Sequence, residues 1–444
     1  MKANEQRWVV RTGLVISMVL GAGCNGTSTG NPMDPGGGSA GAPAGSRFLK
    51  SELARDTEPS ASSLDRSKLA ASNREFAFEL YRTLAAESGN LFLSPFSISV
   101  AFGMTYPGAE GDTEREIADT LHFDLPEPVL HASFNATLQE LSGRAAELAP
   151  QSTGSGFELS LVNQAWGQDG YPFLSSYLDV LAVNYGAGLF ALDFAETEPS
   201  RQIINQWVSD QTAARIEDLI PEGLLDSETR LVLTNAIYFK ANWLSQFDED
   251  DTEDAVFHAP EGDRPVRMMN QQLVTPYAEG AGYRAVELPY LSPAVRMLLV
   301  LPGEDGTEFA SFAANLDDAR LQEILAALSE YEVTLGLPKF QFESEYKLKT
   351  PLQTLGMPGA FTRSADFSGI AGGIERLWID EVFHKAFVAV DEKGTEAAAA
   401  TAVVIRGESA KPQASIRFDR PFLFVIYDEP TGQLLFLGHL LDPE

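Results

Sequence analysis

The sequence predicts an α+β fold, in which helices accompany a β-sheet. Apolar residues recur at helical spacing early in the chain, whereas strand-like apolar runs dominate its second half. The run 231–243 (LVLTNAIYFKANW) is too continuously apolar for a strand with one solvent face, so we expect it at the centre of a sheet. We find no internal repeat, and no second globular domain is needed.

The composition is that of a globular protein with a large core. Hydrophobic residues make up 44% and charged residues 21% of the 444 positions. The formal net charge of −31 argues against nucleic acid as a partner, because phosphate binding requires a basic surface. The acidity favours solubility and, at low salt, cationic partners.

Residues 1–23 have the pattern of a secretory signal peptide. A positively charged start is followed by the short apolar core 12–23 (TGLVISMVLGAG). This core is too short to span a bilayer, which requires roughly 20 apolar residues.

The only cysteine, Cys24, follows directly, so no intrachain disulfide can form. Its position resembles the lipobox of bacterial lipoproteins, although Gly21 stands where leucine is usual and Leu20 lies one place earlier. Two interpretations stay open: lipidation of Cys24, or a plain signal peptide with an incidental thiol. We expect export across the inner membrane, with lipid anchoring at the cell envelope or surface, and an extracellular location otherwise.

Residues 24–66 are rich in Gly, Ser, Pro and Thr and predict a flexible tether, with the folded domain at 67–444. The tether contains Gly37-Gly38-Ser39-Ala40-Gly41, which matches the hydrolase nucleophile pattern. That pattern requires a strand before it and a helix after it, so a match within a glycine linker carries no catalytic meaning.

Two helices are expected at the start of the domain. Ser72 or Asn73 could cap the first, and Ser94-Pro95 begins the second with proline at an early position. Further along, we expect a helix over 172–185 and strands over the segments 161–166, 286–290, 297–302, 335–347 and 434–440.

Residues 391–422 stand apart from this pattern. An alternating strand (FVAV) leads into the hinge-like segment 392–395, a run of small residues, and a polar segment that ends at Pro412. The run EAAAAT is compatible with a short helix, because alanine is the best helix former. Read as a strand, one face carries only small, hydroxylated or aliphatic residues: Thr395, Ala397, Ala399, Thr401, Val403 and Ile405. The stretch could therefore be an exposed loop or a buried strand.

This stretch resembles the reactive-centre loop of a serpin, with the hinge EKGTEAAAAT at 392–401 and the downstream signature FDRPFLFVI at 418–426. The segment 90–123 resembles the second serpin helix and the turn after it. The resemblance covers roughly residues 67–444. It implies a large central sheet, two further sheets, about eight or nine surrounding helices, and an exposed reactive-centre loop.

The resemblance also implies sites that work as switches. The hinge corresponds to Glu392, Gly394, Thr395, Glu396, Ala397, Ala398, Ala399 and Ala400. The shutter, where the central strands part to admit the loop, corresponds to Ser94, Ser97, Asn235 and His384, although His384 alone would be interpreted as a core imidazole. Trp243 corresponds to the breach, where insertion begins.

The implied activity is inhibition of a serine protease by a suicide-substrate mechanism. The protease cleaves the loop, and the loop then inserts into the sheet and traps the acyl-enzyme. The partner would be a serine or a cysteine protease in a covalent 1:1 complex with a monomeric inhibitor. A non-inhibitory serpin that acts as a surface binding module is the alternative, but the small hinge residues favour the inhibitor.

Two counts place the scissile bond differently. Seventeen residues from Glu392, the usual serpin spacing, gives Glu408–Ser409, whereas counting back from FDRPF gives Ala410. Arg406–Gly407 is the rival that would suit a trypsin-like protease.

An enzyme is not expected, and neither a cofactor nor a metal. The five histidines show no paired spacing for zinc. Ser344 and Lys347 match a serine–lysine pattern, but its companion motifs are missing.

Overall fold

Two β-sheets with helices packed against them form the described part of the chain. The computed structural model describes residues 42–86, 89–148, 157–303, 308–373, 377–395 and 411–443.

The helices are α1 (Ser63–Leu84), α2 (Pro95–Thr105), α3 (Gly111–Leu121), α4 (Glu127–Leu148), α5 (Ser175–Val180), α6 (Thr197–Gln211), α7 (Glu308–Ala314), α8 (Asp318–Ala327), α9 (Lys349–Leu355) and α10 (Ser368–Ala371). The strands are β1 (Arg47–Leu49), β2 (Leu91–Leu93), β3 (Phe157–Gln168), β4 (Leu189–Leu192), β5 (Leu231–Asn242), β6 (Glu253–Ala259), β7 (Gly262–Gly280), β8 (Tyr283–Pro289), β9 (Val295–Pro302), β10 (Ser329–Pro338), β11 (Phe340–Lys347), β12 (Val382–Val390), β13 (Gly394–Thr395), β14 (Gln413–Arg417), β15 (Phe422–Asp428) and β16 (Gln433–Leu440).

The first sheet has the order β1-β4-β3-β5-β13-β12-β11, which confirms the central position of the apolar run at 231–243. Both faces of β5 are covered. Leu233 belongs to the main core, whereas its neighbour Val232 packs in a second cluster with Trp166 and with Ile204 of α6. Burial on both faces explains why this strand lacks alternation.

The second sheet runs β14-β10-β7-β8-β9-β15-β16-β2, with β6 paired to β7. The resemblance implied two sheets in addition to the central one. Among the described residues, the strands outside the central sheet form one continuous sheet. The cause is the 19-residue strand β7, which pairs with β6 over its first part, with β10 over its second part and with β8 at its end.

Helix boundaries differ from the expectation at two points. The cap of α1 is Ser62, not Ser72 or Asn73, because Ser62 and Asp65 form a reciprocal capping box. The expected helix at 172–185 begins at Ser175 as α5 and ends in the π-helical turn Leu181–Tyr185. The start of α2 is confirmed, with Ser94 as its cap.

The described residues contain ten α-helices, one more than the upper expected number, and the last has only four residues. None of the described helices combines the length and hydropathy needed to cross a bilayer.

Folded structure starts before the predicted boundary at residue 67. Residues 42–61, which we call the N-terminal strap, fall within the predicted tether, yet Arg47–Leu49 forms a strand and α1 already begins at Ser63. The structure differs from the predicted tether in this portion, since backbone pairing of β1 with β4 orders a segment whose composition alone indicates flexibility.

Candidate functional site

The hinge lies where the two central strands of the first sheet separate. β5 and β12 pair in parallel between Val382 and Ala386 of β12. Beyond this point β13 lies between them, and Thr395 pairs with Ala241 of β5 and Val390 of β12. The first hinge residues are therefore part of the sheet, and the Thr395 side chain is only 1% exposed.

Gly394 allows the hinge backbone to approach β5 closely. A Cβ atom at this position would lie 2.1 Å from the carbonyl oxygen of Ala241. Because that neighbour is backbone and cannot move aside, any side chain at residue 394 would push β13 out of the sheet.

Trp243 and Tyr290 form the wall against which the hinge packs. Their rings stack at a centroid distance of 4.6 Å, and the indole Nε1 donates to the carbonyl oxygen of Asp391 at 3.1 Å. The Tyr290 hydroxyl is hydrogen-bonded to the Thr395 hydroxyl at 2.8 Å. The predicted breach residue thus holds the chain just before β13, and a tyrosine that sequence reasoning missed holds β13 itself.

Glu392 is anchored by two residues that the sequence did not single out. Its carboxylate accepts from the Lys339 ammonium at 2.7 Å and from the Thr252 hydroxyl at 2.8 Å. Burial favours the protonated form, but the hydrogen bonds from Lys339 and Thr252 outweigh it, so the pKa of Glu392 is lower than 4.5. The hinge therefore starts at a fixed, negatively charged anchor.

The four predicted shutter residues lie together and are fully buried: Ser94, Ser97, Asn235 and His384. His384 Nδ1 is 2.5 Å from Asn235 Oδ1, and the Ser94 backbone N–H donates to His384 Nε2 at 3.1 Å. Because Nε2 accepts, the imidazole proton resides on Nδ1 and is donated to Asn235. Asn235 in turn donates to the Ser97 hydroxyl at 2.6 Å.

Asn163 of β3 completes this cluster and was missed by sequence reasoning. Its Oδ1 accepts from Asn235 Nδ2 at 2.6 Å. In the sheet register, Asn163 lies opposite Asn235 and Asn235 lies opposite His384, so three polar side chains form a row across three neighbouring strands. The available signal was the pair of polar residues Asn163 and Gln164 within the strand segment LVNQAW.

The His384 ring is neutral in the folded protein. Burial lowers its pKa to about 3, because no nearby anion compensates the cost of charging the ring away from water. The arrangement serves structural hydrogen bonding, since a neutral imidazole with both nitrogens engaged cannot act as a base without breaking the cluster.

Several predicted positions lie outside the described residues. These are the hinge residues Glu396, Ala397, Ala398, Ala399 and Ala400, the candidate cleavage positions Arg406, Gly407, Glu408, Ser409 and Ala410, and Cys24. Of the serine–lysine pattern, Ser344 lies in β11 and its hydroxyl accepts from the backbone N–H of Phe92 at 3.1 Å. In the part of the chain that the structure describes, no group of three or more His, Cys, Asp or Glu residues is placed to hold a metal ion.

The family model "Serpin (serine protease inhibitor)" matches residues 71–443. The chain belongs to the serpin family. A serpin-like protein of Thermococcus kodakarensis is 41% identical over 374 residues, which cover 83% of this chain and 84% of that protein. The leukocyte elastase inhibitor of Sus scrofa is 36% identical over 387 residues, which cover 85% of this serpin and all of its relative.

Solved structures show the same fold. Uncleaved ovalbumin matches with a TM-score of 0.74 at 28% identity, over 85% of this serpin and 100% of the ovalbumin chain.

Proposed function

We propose that this serpin inhibits a serine endopeptidase as a suicide substrate. The observation that carries the proposal is the position of β13, which begins a strand between β5 and β12 with the Thr395 side chain already buried. The leukocyte elastase inhibitor, a relative that covers most of this chain, supports a protease as the partner.

The pairing of β13 defines a path for the remainder of the loop. Continuing the antiparallel register of Gly394 with Asn242 would place residues 396–405 opposite residues 240–231 of β5. The inward side chains would be those that follow Thr395 at every second position, all of them small, hydroxylated or aliphatic. Such a strand would replace the short parallel contact between β5 and β12 with two antiparallel ladders.

The free energy available from this exchange is large. About a dozen new backbone hydrogen bonds at roughly 0.5–1.5 kcal/mol each would contribute on the order of 10 kcal/mol. That is comparable with the total stability of an ordinary domain.

The chemistry follows from cleavage within the loop. The protease serine attacks the scissile carbonyl, the new amino terminus leaves, and the protease stays attached as an ester. Insertion then carries the attached protease along and distorts its active site. Loss of one oxyanion-hole donor slows catalysis by about 10²–10³-fold, so a modest distortion suffices to trap the ester.

Incubation with a panel of serine and cysteine proteases tests this function. We expect a 1:1 adduct that survives denaturing detergent, and mass spectrometry of the released C-terminal peptide would distinguish Glu408–Ser409 from Arg406–Gly407 and from cleavage at Ala410. Cleavage by every protease without any adduct would reject inhibition and favour the non-inhibitory binding module.

The location of the inhibitor is a separate part of the proposal. Lipidation of Cys24 after export would hold a monomeric inhibitor at the cell envelope, where a second acyl chain makes anchoring durable. Metabolic labelling with a radioactive fatty acid should mark the wild-type protein and not Cys24→Ser. Equal labelling of both proteins would reject this anchor.

A further inference from the structure

A polar cleft lies between the β7–β8 hairpin and β14, the first strand after the proposed reactive-centre loop. Its volume is about 850 Å³, which is within the range of roughly 300–1,000 Å³ that is typical of small-ligand sites. The cleft is lined mainly by residues 277–280 and 282–284 of the hairpin, by Tyr331 of β10 and by residues 413–415 of β14. The inhibition proposed above does not involve this cleft.

The hairpin side of the cleft is preformed around Tyr283. A Cβ at Gly280 would lie 2.3 Å from the Tyr283 ring, so only glycine leaves room for this ring. The Arg320 guanidinium lies 4.9 Å from the ring centroid, and its Nη2 donates to the carbonyl oxygen of Ala281 at 2.6 Å. Because the ring and the turn are both held in place, this wall needs little ordering when a ligand binds.

Arg284 carries hydrogen-bond donors that the described residues leave largely unused. Within the described part of the chain, its guanidinium makes one hydrogen bond, from Nη1 to the carbonyl oxygen of Ser415 at the long distance of 3.4 Å. A guanidinium has five N–H donors, and this half-buried side chain lies in the wall of the cleft. Arg284 is therefore able to donate several hydrogen bonds to a ligand.

Two carboxylates in the lining supply acceptors. Glu279 accepts from the Tyr277 hydroxyl at 3.3 Å. Glu308 lies against Gly303, where a Cβ would be 2.1 Å from the Glu308 carboxylate oxygen Oε2. Both glutamates are exposed, and neither forms an ion pair with another described residue. Their remaining lone pairs are available to a ligand.

Tyr331 adds apolar surface beside these polar groups. Its ring is half-buried and meets the Tyr277 ring edge to face at a centroid distance of 5.2 Å. A half-buried tyrosine presents an apolar ring and a polar hydroxyl together. The cleft thus combines aromatic surface with both donors and acceptors.

The charges of the lining favour an uncharged ligand. Glu279 and Arg284 lie opposite each other in the pairing of β7 and β8, at a Cβ spacing of about 5 Å, so their charges compensate one another. The Glu308 carboxylate and the net charge of −31 repel an anion, whereas a cation would meet the Arg284 guanidinium. A neutral ligand that donates and accepts hydrogen bonds avoids both costs.

We propose that this cleft binds a neutral carbohydrate of about two or three sugar units. A sugar ring has a face of C–H groups that packs on Tyr331, and its hydroxyls both accept from Arg284 and donate to the carboxylates. A free oligosaccharide and a polysaccharide surface offer the same chemistry. The site does not depend on loop insertion, and it adds a second binding function close to the end of the loop.

Titration calorimetry of the uncleaved protein with maltotriose, cellotriose and chitotriose tests the site. We expect at least one of them to bind with a Kd of about 1 mM or lower. A sulfated maltotriose, the cationic glucosamine trimer and an acetylated trialanine amide should bind about tenfold more weakly or not at all. The proposal would be overturned if none of the three neutral sugars bound at about 10 mM, or if a charged sugar or the peptide bound more tightly.

Variants of the lining locate the binding. Arg284→Met and Tyr331→Ala should each raise the Kd about tenfold, and Glu279→Gln, a milder change at an exposed position, keeps the test valid if either of these does not fold. Arg264→Met is the matched control, because Arg264 is also half-buried and lies in β7, but outside the cleft. Equal affinity in wild type, Arg284→Met and Glu279→Gln would place the sugar elsewhere and refute the site.

Sedimentation with insoluble starch, cellulose and chitin distinguishes the two sources of the ligand. Retention that is lost in Arg284→Met supports a polysaccharide surface, whereas binding of a trisaccharide without retention supports a free oligosaccharide. Retention that is equal in wild type and Arg284→Met contradicts binding in the cleft. The protease-adduct assay is independent of these measurements, so a protein that binds the sugar and traps no protease rejects only the proposed inhibition.

Discussion

Asn235 is the central residue of the buried cluster, because its side chain is hydrogen-bonded to His384 on one neighbouring strand and to Asn163 on the other. The contact to His384 crosses the line between β5 and β12, whereas the contact to Asn163 stays within the group of strands that would move together. Insertion of a strand between β5 and β12 would therefore break the hydrogen bond between Asn235 and His384. The hydrogen bond between Asn235 and Asn163 could persist. Buried hydrogen bonds of this kind are costly to leave unpaired, so the cluster contributes to the barrier as well as to stability.

The neutrality of His384 predicts a specific loss of stability in acid. The folded-state pKa of about 3 is below the ordinary value of 6.5, so the unfolded chain takes up a proton in this window and the folded protein does not. The contribution of His384 to the free energy of unfolding is constant above pH 6.5. As the pH drops below 6.5, this contribution decreases by up to about 1.4 kcal/mol per pH unit.

Thermal unfolding at one scan rate between pH 7 and 5 should show this loss, and the pH dependence should be shallower in His384→Gln. Burial also lowers the pKa of His439, to about 4, so part of the slope will remain. His258→Gln is the control, since His258 is exposed. A slope in His384→Gln equal to that of the wild type would contradict the assignment.

Three side-chain contacts set the position of the short strand β13. Trp243 holds the segment before it, Tyr290 bonds Thr395, and the Lys339–Glu392 pair fixes the point at which the chain leaves β12. The hinge thus begins within the sheet and is anchored at its start. The insertion proposed above would continue the same register after cleavage.

Thr395→Arg should convert the protein from an inhibitor into a substrate. An arginine here would have to be buried without a partner between β5 and β12, so insertion would be slow and the ester would hydrolyse first. The measurement is the amount of detergent-stable adduct per molecule of cleaved inhibitor. Thr395→Val is the control, because it keeps the shape and loses only the hydroxyl, and it should still form the adduct. An Arg variant that traps protease as efficiently as wild type would refute the role of the hinge.

The anchor between Glu392 and Lys339 can be measured by a double-mutant cycle with Glu392→Gln and Lys339→Met. We expect a coupling free energy of about 1 kcal/mol, because Lys339 is 40% exposed and water weakens the pair. The lowered pKa of Glu392 means that this contribution is complete above pH 4.5 and is lost as the pH falls below it. If no coupling free energy is measured at pH 7, the Lys339–Glu392 pair does not anchor the hinge.

At the scale of the whole molecule, the proposed insertion would give the first sheet a second arrangement of its central strands. In the structure described here, β5 and β12 make a short parallel contact below β13. An inserted loop would complete antiparallel ladders on both sides, so the uncleaved fold is expected to have the higher free energy of the two.

Cleavage within 402–410 should therefore stabilise the molecule. A gain on the order of 10 kcal/mol would raise the Tm by about 12 °C for a domain of this length. Differential scanning calorimetry of intact and nicked protein checks this, with nicked Thr395→Arg as the control that should gain much less. A nicked wild-type protein that melts no later than the intact one would show that no insertion takes place.

The amino-acid sequence by itself determined the family, the strand at 231–243 and its central position, and the start of α2, because apolar runs, capping residues and motif order are local signals. It also indicated the grouping of Ser94, Ser97, Asn235 and His384, but only through resemblance.

Contacts between distant segments were decided by the tertiary structure alone. Asn163 lies 72 residues from Asn235 in the chain, and His384 lies 149 residues from it, so only the pairing of three strands brings them into one row. The strap is the second case. Its composition predicts a tether, whereas the pairing of β1 with β4 gives this segment a defined structure. In both cases the deciding interaction is hydrogen bonding between segments far apart in the chain, which no local pattern encodes.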